Sequence, residues 1–244
     1  MSFPLSRVAV IIPALNEEAS LPRVLQAIPD GLVEQILVVD NGSTDKTAEA
    51  AAANGATVVR EARRGYGSAC LAGLDRLREH PPDIVVFLDG DFSDHPEEIK
   101  SLLAPIREAG CDLVIGSRVL GSAEPGALLP QARAGNLLAV FLLRVLYGAR
   151  YTDLGPFRAV RFGRLLELGM EDRAYGWTVE MQARAALAGW KTMEVPVSYR
   201  RRIGRSKITG TVQGTLRAGI AILRTLVRLR LAASLRRESL PARR

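Results

Sequence analysis

Asp89-Gly90-Asp91 places two carboxylates at i and i+2, separated by a glycine that lets the backbone bend tightly. Oxygen ligands of this kind suit a hard cation such as Mg2+ or Mn2+, which typically bridges one or two carboxylates to substrate phosphates. A pair with this spacing can also be a solvated acidic turn. Its context favours the chemical reading. The pair follows directly on Ile84-Val85-Val86-Phe87-Leu88, a continuous apolar run suited to a strand buried on both faces of a parallel sheet. Open α/β sheets bind ligands just beyond the carboxyl ends of such strands.

Three other apolar runs end the same way. Residues 8–12 lead into Pro13-Ala14-Leu15-Asn16-Glu17, residues 36–39 into Asp40-Asn41-Gly42-Ser43-Thr44-Asp45, and residues 57–60 into Arg63-Arg64-Gly65-Tyr66-Gly67. Parallel strands set these ends side by side, so the polar clusters should share one crevice. There Asp40 could accept hydrogen bonds from a nucleobase or ribose, and backbone amides near Pro13 and Ala14 could read a base edge. Gly65-Tyr66-Gly67 invites comparison with the dinucleotide fingerprint, but Cys70 stands where its third glycine belongs, the third strand precedes it, and no suitable acid follows at the required spacing. A Rossmann dehydrogenase is therefore disfavoured. Gly65 and Gly67 either allow close backbone approach to a ligand or form a tight turn.

The elements that must carry these residues alternate regularly. Helices are expected over about 21–28, 48–54 and 68–79, and another begins at Pro96 with Glu97 and Glu98 in its first turn, as the macrodipole favours. Four β-α units followed by a strand at 113–116 call for a doubly wound, mostly parallel sheet flanked by helices. The second half is less regular. We expect a mobile loop over 121–129, an apolar helix over 133–146, a turn at Gly155-Pro156, a short strand over 157–160, a helix over 177–188 and a strand over 192–199. A long helix from about 211 to 237 carries Ile220, Leu223, Val227 and Leu231 on one face, interspersed with arginines.

With 244 residues, 48% hydrophobic and 24% charged, the chain suits one large α/β domain or one and a half. Cys70 and Cys111 sit in apolar or helical contexts without a C-x-x-C pair and read as reduced thiols of a cytosolic protein. Ser6-Arg7 leads straight into a strand, unlike a signal peptide. The longest uncharged apolar run, 134–143, is bounded by Arg133 and Arg144, so no transmembrane helix is expected. The net charge of +7 is uneven: residues 191–244 hold fourteen Lys/Arg against Glu194 and Glu238, and the remainder is mildly acidic. That asymmetry points to anionic partners such as phosphates or acidic lipid headgroups, or to a solvated basic tail. Without aromatic-basic interleaving or a recognition motif, nucleic acid is not expected as the partner.

Taken together, VIIPALNEE, VVDNGSTDKT, RGYGSA, LDGDFSDHPEEI, GSR, TDLGPFRAV, GWTVEMQ and RIGRSKITGT fall in order over roughly residues 7–220. In that order they resemble the family 2 glycosyltransferases of GT-A fold, in particular the branch of dolichyl- and polyprenyl-phosphate mannosyl- and glucosyltransferases. The resemblance implies a GT-A domain over 1–210, with a nucleotide-sugar half to about residue 118 and an acceptor half over 119–210, followed by a basic amphipathic helix and tail over 211–244. It implies an inverting, metal-dependent transfer of a hexose from a nucleotide diphosphate sugar of UDP-glucose or GDP-mannose type. The acceptor would be polyprenyl phosphate at the membrane surface, or a hydroxyl on a lipid or small soluble molecule. By the same resemblance Asp89 and Asp91 hold the Mg2+ or Mn2+, with Asp91 the direct ligand. Pro13, Ala14, Asn16, Glu17, Asp40, Gly65, Gly67, Gly90 and Arg118 would face the nucleotide sugar, and Arg133, Arg202, Ser206 and Lys207 the acceptor phosphate. Glu180 or Asp153 could be the base for a hydroxyl acceptor, whereas a phosphate acceptor is already anionic and needs little deprotonation. Glu180 could equally be a helix-surface glutamate, and Trp177 could stack on a sugar or belong to the core. Members of the branch often carry added transmembrane helices. Here the basic helix could instead lie on a membrane, pack on the catalytic domain or pair two subunits.

Overall fold

The computed structural model describes residues 6–204 and 212–238, with side chains on the last helix described for 219–233. Seven strands form one sheet in the order β3-β2-β1-β4-β6-β5-β7, built from β1 (Val8–Ala14), β2 (Gln35–Asp40), β3 (Thr57–Arg60), β4 (Ile84–Phe87), β5 (Leu113–Ala123), β6 (Arg158–Arg161) and β7 (Thr192–Tyr199). All neighbours pair in parallel except β6, which runs antiparallel to both β4 and β5. The strand order reverses between β1 and β4, and Asp89-Gly90-Asp91 leaves the sheet at that switch point.

The central strands are apolar on both faces because helices cover both. One layer packs Ala9, Ile11, Val85 and Phe87 against α3 (Tyr66–Leu77), α5 (Pro130–Tyr147), α6 (Phe162–Leu168), α7 (Trp177–Leu187) and α8 (Val212–Glu238). On the other side Val8, Val10, Ile12 and Val86 pack against α1 (Leu21–Ala27), α2 (Thr47–Ala53) and α4 (Ile99–Glu108). Burying an aliphatic side chain of this size stabilises the fold by about 1.5–3 kcal/mol. The uninterrupted runs 8–12 and 84–88 are therefore the strongest local determinants of the sheet.

Two expectations are corrected. The segment 121–129 is not a free loop at its start: β5 continues to Ala123, and Ser122 and Ala123 pair with Ser198 and Tyr199 after a shift in register. Gly121 makes this possible, since a Cβ there would stand 2.0 Å from the Val197 carbonyl oxygen. Sequence composition announces a glycine but not the strand lying across it. The helix α6, directly after β6, was also absent from the expected elements. Being only seven residues long, it is held by Phe162, Leu165 and Leu168 in the core rather than by its own periodicity.

Trp177 belongs to the core, 1% exposed, with its ring edge-on to Phe87 at 6.0 Å. Cys70 and Cys111 are both buried free thiols. Among the described residues no helix is long and apolar enough to cross a membrane.

Candidate active site

The acidic turn after β4 is folded over itself. Asp91 Oδ1 accepts from the backbone N–H and the hydroxyl of Ser93, and Asp94 Oδ2 accepts from the Asp89 N–H at 3.3 Å. Phe92 adopts a positive φ of 62°, a conformation that costs a non-glycine residue energy and persists only where packing holds it. Arg200 lies over the Phe92 ring at 3.8 Å. Gly90 is buried against Ile12, Pro13 and Glu17.

After β7 the chain turns back across this acidic loop. The Arg200 N–H donates to the Ser93 carbonyl and the Ile203 N–H to the Asp91 carbonyl, which brings the Arg202 guanidinium to 3.0 Å from Asp91 Oδ2. From β5, Arg118 reaches the same region and stacks over Tyr199 at 5.0 Å. Two arginines and three acids (Asp89, Asp91, Asp94) thus meet at the carboxyl end of β4.

Their electrostatics are unbalanced. Burial, then repulsion from Asp91, raises Asp89 from 3.8 to about 6, against the opposing pull of Arg202. Burial and repulsion from both neighbours push Asp94 well above its ordinary value. Asp94 Oδ1 is buried with no hydrogen-bond partner among the described residues. Crowded carboxylates of this kind fit a divalent cation, which would relieve the repulsion. Among the described residues no three His, Cys, Asp or Glu side chains form a protein-only metal cage. A cation bound here would therefore draw the rest of its shell from phosphate oxygens and water, the usual arrangement for Mg2+.

The β1 and β2 loops interlock. Asn16, at a φ of 52°, receives the Thr44 N–H on its side-chain carbonyl and donates its own N–H to Ser43 Oγ. Its described role is to splice the two loops together. Glu17 accepts from Ser20 Oγ through its carboxylate and donates its N–H to Thr47 Oγ1. Asp40 Oδ1 accepts the Ser43 N–H, and the half-buried Asp40 stands beside Ala14 across the β1–β2 pair, as the shared crevice requires.

Asn41 is a structural residue that was not singled out from the sequence. Buried, it donates to the carbonyls of Glu61 and Arg63 and accepts the Gly65 N–H at 2.7 Å, clamping the start of α3. An Asn after a strand, in D-N-G-S, was the available signal.

Gly65 and Gly67 lie directly against protein backbone. A Cβ on Gly65 would lie 2.0 Å from the Arg173 carbonyl oxygen and one on Gly67 1.9 Å from that of Asp172, while the N–H groups of Gly67 and Ser68 donate to Ala174 and Arg173. They allow the loop before α7 to seat on the helix N-terminus.

Glu180 is not a helix-surface glutamate. It is fully buried in the first turn of α7, accepts the N–H groups of Glu171 and Asp172, and pairs with Arg184 at 2.8 Å. With both oxygens used, it holds the loop that Gly65 and Gly67 receive. Asp153 is 1% exposed and grips Arg118 through both carboxylate oxygens at 2.7–2.9 Å. That bidentate pair orients the guanidinium and engages both carboxylate oxygens. Beneath it Glu194, at the β7 register position beside Ile115, accepts the N–H groups of Thr152 and Asp153. Glu194 and the buried Arg158, which donates to the carbonyls of Leu154, Gly155 and Thr178, shape the Thr152–Gly155 turn; neither was picked out as a site residue. Burial without a carboxylate partner pushes Arg158 down to about 10.

Arg133 is exposed in the first turn of α5, and no hydrogen bond or ion pair among the described residues joins its side chain to the acidic turn. Ser206 and Lys207 lie outside the described residues. His95 pairs with Glu97 at 2.8 Å.

Comparison with known proteins agrees with this architecture. The model for "Glycosyl transferase family 2" matches residues 9–167. An uncharacterized glycosyltransferase of Mycobacterium tuberculosis is 44% identical over 219 residues, covering 88% of this chain and 94% of that protein. The undecaprenyl-phosphate mannosyltransferase of Micrococcus luteus is 35% identical over 228 residues (85% and 90%), and the polyprenol monophosphomannose synthase of Mycolicibacterium smegmatis 33% over 224 (85% and 83%). Among solved structures, glucosyl-3-phosphoglycerate synthase of Mycobacterium tuberculosis, in complex with Mn2+, UDP and phosphoglyceric acid, superposes with a TM-score of 0.71 at 26% identity, covering 92% of this chain and 78% of that one. A mostly parallel sheet with its acidic turn at the switch point, together with these matches along most of its length, places the chain in glycosyl transferase family 2 as a GT-A glycosyltransferase.

Proposed function

We propose that this enzyme moves a hexose from a nucleotide diphosphate sugar to polyprenyl phosphate, with a divalent cation held by Asp89 and Asp91. The observation that carries this reading is the meeting of crowded carboxylates with Arg118 and Arg202 at the end of β4. Such a site matches a diphosphate, whose oxygens would bind both the cation and the guanidinium groups. When bound, the cation supplies charge neutralisation on the departing diphosphate. Asp40 and the backbone around Pro13 and Ala14 line the nucleoside end of the crevice. Arg118, oriented by Asp153, and Arg202 stabilise the negative charge that develops as the bond between the anomeric carbon and the diphosphate oxygen breaks. An oxygen of the acceptor phosphate forms the new bond from the opposite face, inverting the anomeric centre. The acceptor arrives as an anion, so no side chain needs to remove a proton. The buried, fully paired state of Glu180 and Asp153 agrees with that economy.

The polyprenyl acceptor is supported by the two named relatives above. A second reading, a small soluble phosphorylated acceptor, is favoured by the solved structure that holds phosphoglyceric acid. Labelled UDP-glucose and GDP-mannose, each with Mn2+ and either undecaprenyl phosphate or 3-phosphoglycerate, separate the two. Label extracted into organic solvent only with the lipid supports the proposal. Transfer to the soluble acceptor alone overturns it.

A further inference from the structure

The helix α8 has two apolar stripes. Its inner one, with Ile222, Leu226 and Leu229, joins the core, and Thr225 Oγ1 donates to Asp172 at 2.9 Å. The outer one, Ile220, Leu223, Val227 and Leu231, is exposed, with nothing over it among the described residues. Its neighbour α5 repeats the pattern. Ala139 and Leu143 are buried, while Leu137, Leu138, Phe141 and Val145 point outward. The two helices pack on each other, with the Tyr147 hydroxyl donating to the Leu226 carbonyl. The eight outward side chains are between 40% and 64% exposed. So large an apolar area on neighbouring helices marks a contact surface.

Charge selects the occupant. The two helices contain eight arginines and a single acid, Glu238, at the last residue of α8. Arg133, Arg144 and Arg224 are exposed on them, and Arg150 is exposed just beyond α5. A second copy of this chain would bring arginines against arginines with almost no acids to answer them, which opposes self-pairing. An anionic bilayer offers what both features need: acyl chains for the apolar stripes and acidic headgroups for the arginines. The surface is also joined to the site. On the inner side of α5, Asn136 donates to the Thr152 carbonyl and accepts the Leu154 N–H, bracketing Asp153, which holds Arg118. From Arg118 the chain continues directly into Val119 and Leu120, both about half exposed.

We infer that the paired outer faces of α5 and α8 form a docking surface for an anionic lipid bilayer, holding the Arg118 side of the site against the membrane that contains the acceptor. This rests on the polyprenyl phosphate reading for its purpose, but not for its test. Sedimentation with vesicles of phosphatidylcholine alone, or with 30% phosphatidylglycerol, measures docking directly. The full chain should partition onto the anionic vesicles, and F141D/L223D should lower the partition coefficient by roughly tenfold or more at an unchanged melting temperature. On a short, water-soluble polyprenyl phosphate the variant should turn over like the wild type. Failure of the wild type to bind, or equal binding by the variant, overturns the surface. A wild-type dimer in sedimentation velocity that the variant converts to monomer also overturns it, in favour of a second copy. Vesicle binding without transfer to any polyprenyl phosphate leaves the surface standing and removes the acceptor.

Discussion

The buried acids of this protein fall into two groups with opposite surroundings. In the second half, Asp153 and Glu180 are matched group for group: Asp153 by a bidentate Arg118, Glu180 by Arg184 and two backbone N–H groups. At the end of β4, Asp89, Asp91 and Asp94 crowd one another: Asp91 is held by Ser93 and Arg202, whereas Asp89 and Asp94 are raised by burial and then by repulsion, and Asp94 Oδ1 has no hydrogen-bond partner among the described residues. A matched acid stabilises a fold. An unmatched cluster costs stability and persists where it binds something. Asp153 supports Arg118, and Glu180 holds the loop before α7.

The largest effect is expected at Asp91. Asp91→Ala should reduce turnover by about 10²- to 10³-fold, the usual cost of deleting one charge-stabilising group, while the melting temperature changes little, because loss of the Ser93 and Arg202 contacts is offset by relief of the repulsion with Asp89. Steady-state kinetics beside a thermal melt checks this; turnover within about tenfold of wild type would remove Asp91 from the site. Glu180→Gln should do the reverse. Removing one partner of a buried ion pair costs about 3–5 kcal/mol of stability, and the remaining folded enzyme at low temperature should keep turnover within about tenfold of wild type. If turnover instead vanishes with the melt unchanged, Glu180 acts on substrate.

Gly67→Ala tests the loop that Glu180 anchors. A Cβ there would meet the Asp172 carbonyl oxygen at 1.9 Å, so the loop must move, with a loss of about 1–3 kcal/mol read as a lower denaturation midpoint. A gentler test is pH. Because Asp89 is raised from 3.8 to about 6, the metal-free folded state holds this proton more tightly than the unfolded chain does. The Asp89 contribution to stability should therefore fall as pH rises from about 4 to 6 and level off above, and Asp94, raised in the same direction, adds to the fall. Mn2+ must displace the same proton, so its affinity should weaken by up to about tenfold per pH unit below 6. Calorimetric titration of Mn2+ with UDP at pH 5, 6 and 7 measures it; a flat profile would show that the cluster is not crowded.

Much of the fold was legible because it rests on local signals. Apolar runs at 8–12, 36–39 and 84–88 bury a strand on both sides whatever surrounds them, and Gly and Pro punctuate the helices between. The Asp89–Asp91 pair and Asp40 stood out because strand ends in such a sheet converge. Partner identity was not legible. Glu180 and Asp153 look alike as isolated acids, and only the approach of the Glu171 and Asp172 N–H groups to one and of Arg118 to the other, from elsewhere in the chain, distinguishes them from free carboxylates. For the same reason the Arg173 and Asp172 carbonyls that lie against Gly65 and Gly67 were not legible in the sequence.

The sequence by itself determined the α/β class, the order of strands along the chain, the acidic turn and the excess of arginine on the last helix. Those properties follow from hydrophobic periodicity and composition, which are written locally. Tertiary structure alone decided which acids are paired, which glycines admit a neighbouring backbone, and that α8 turns Leu226 and Leu229 inward while Ile220, Leu223, Val227 and Leu231 stay outside. A helix with apolar residues on two sides does not state which side is the core. That choice depends on the surfaces of α5 and α7, which the chain builds from residues dozens of positions away.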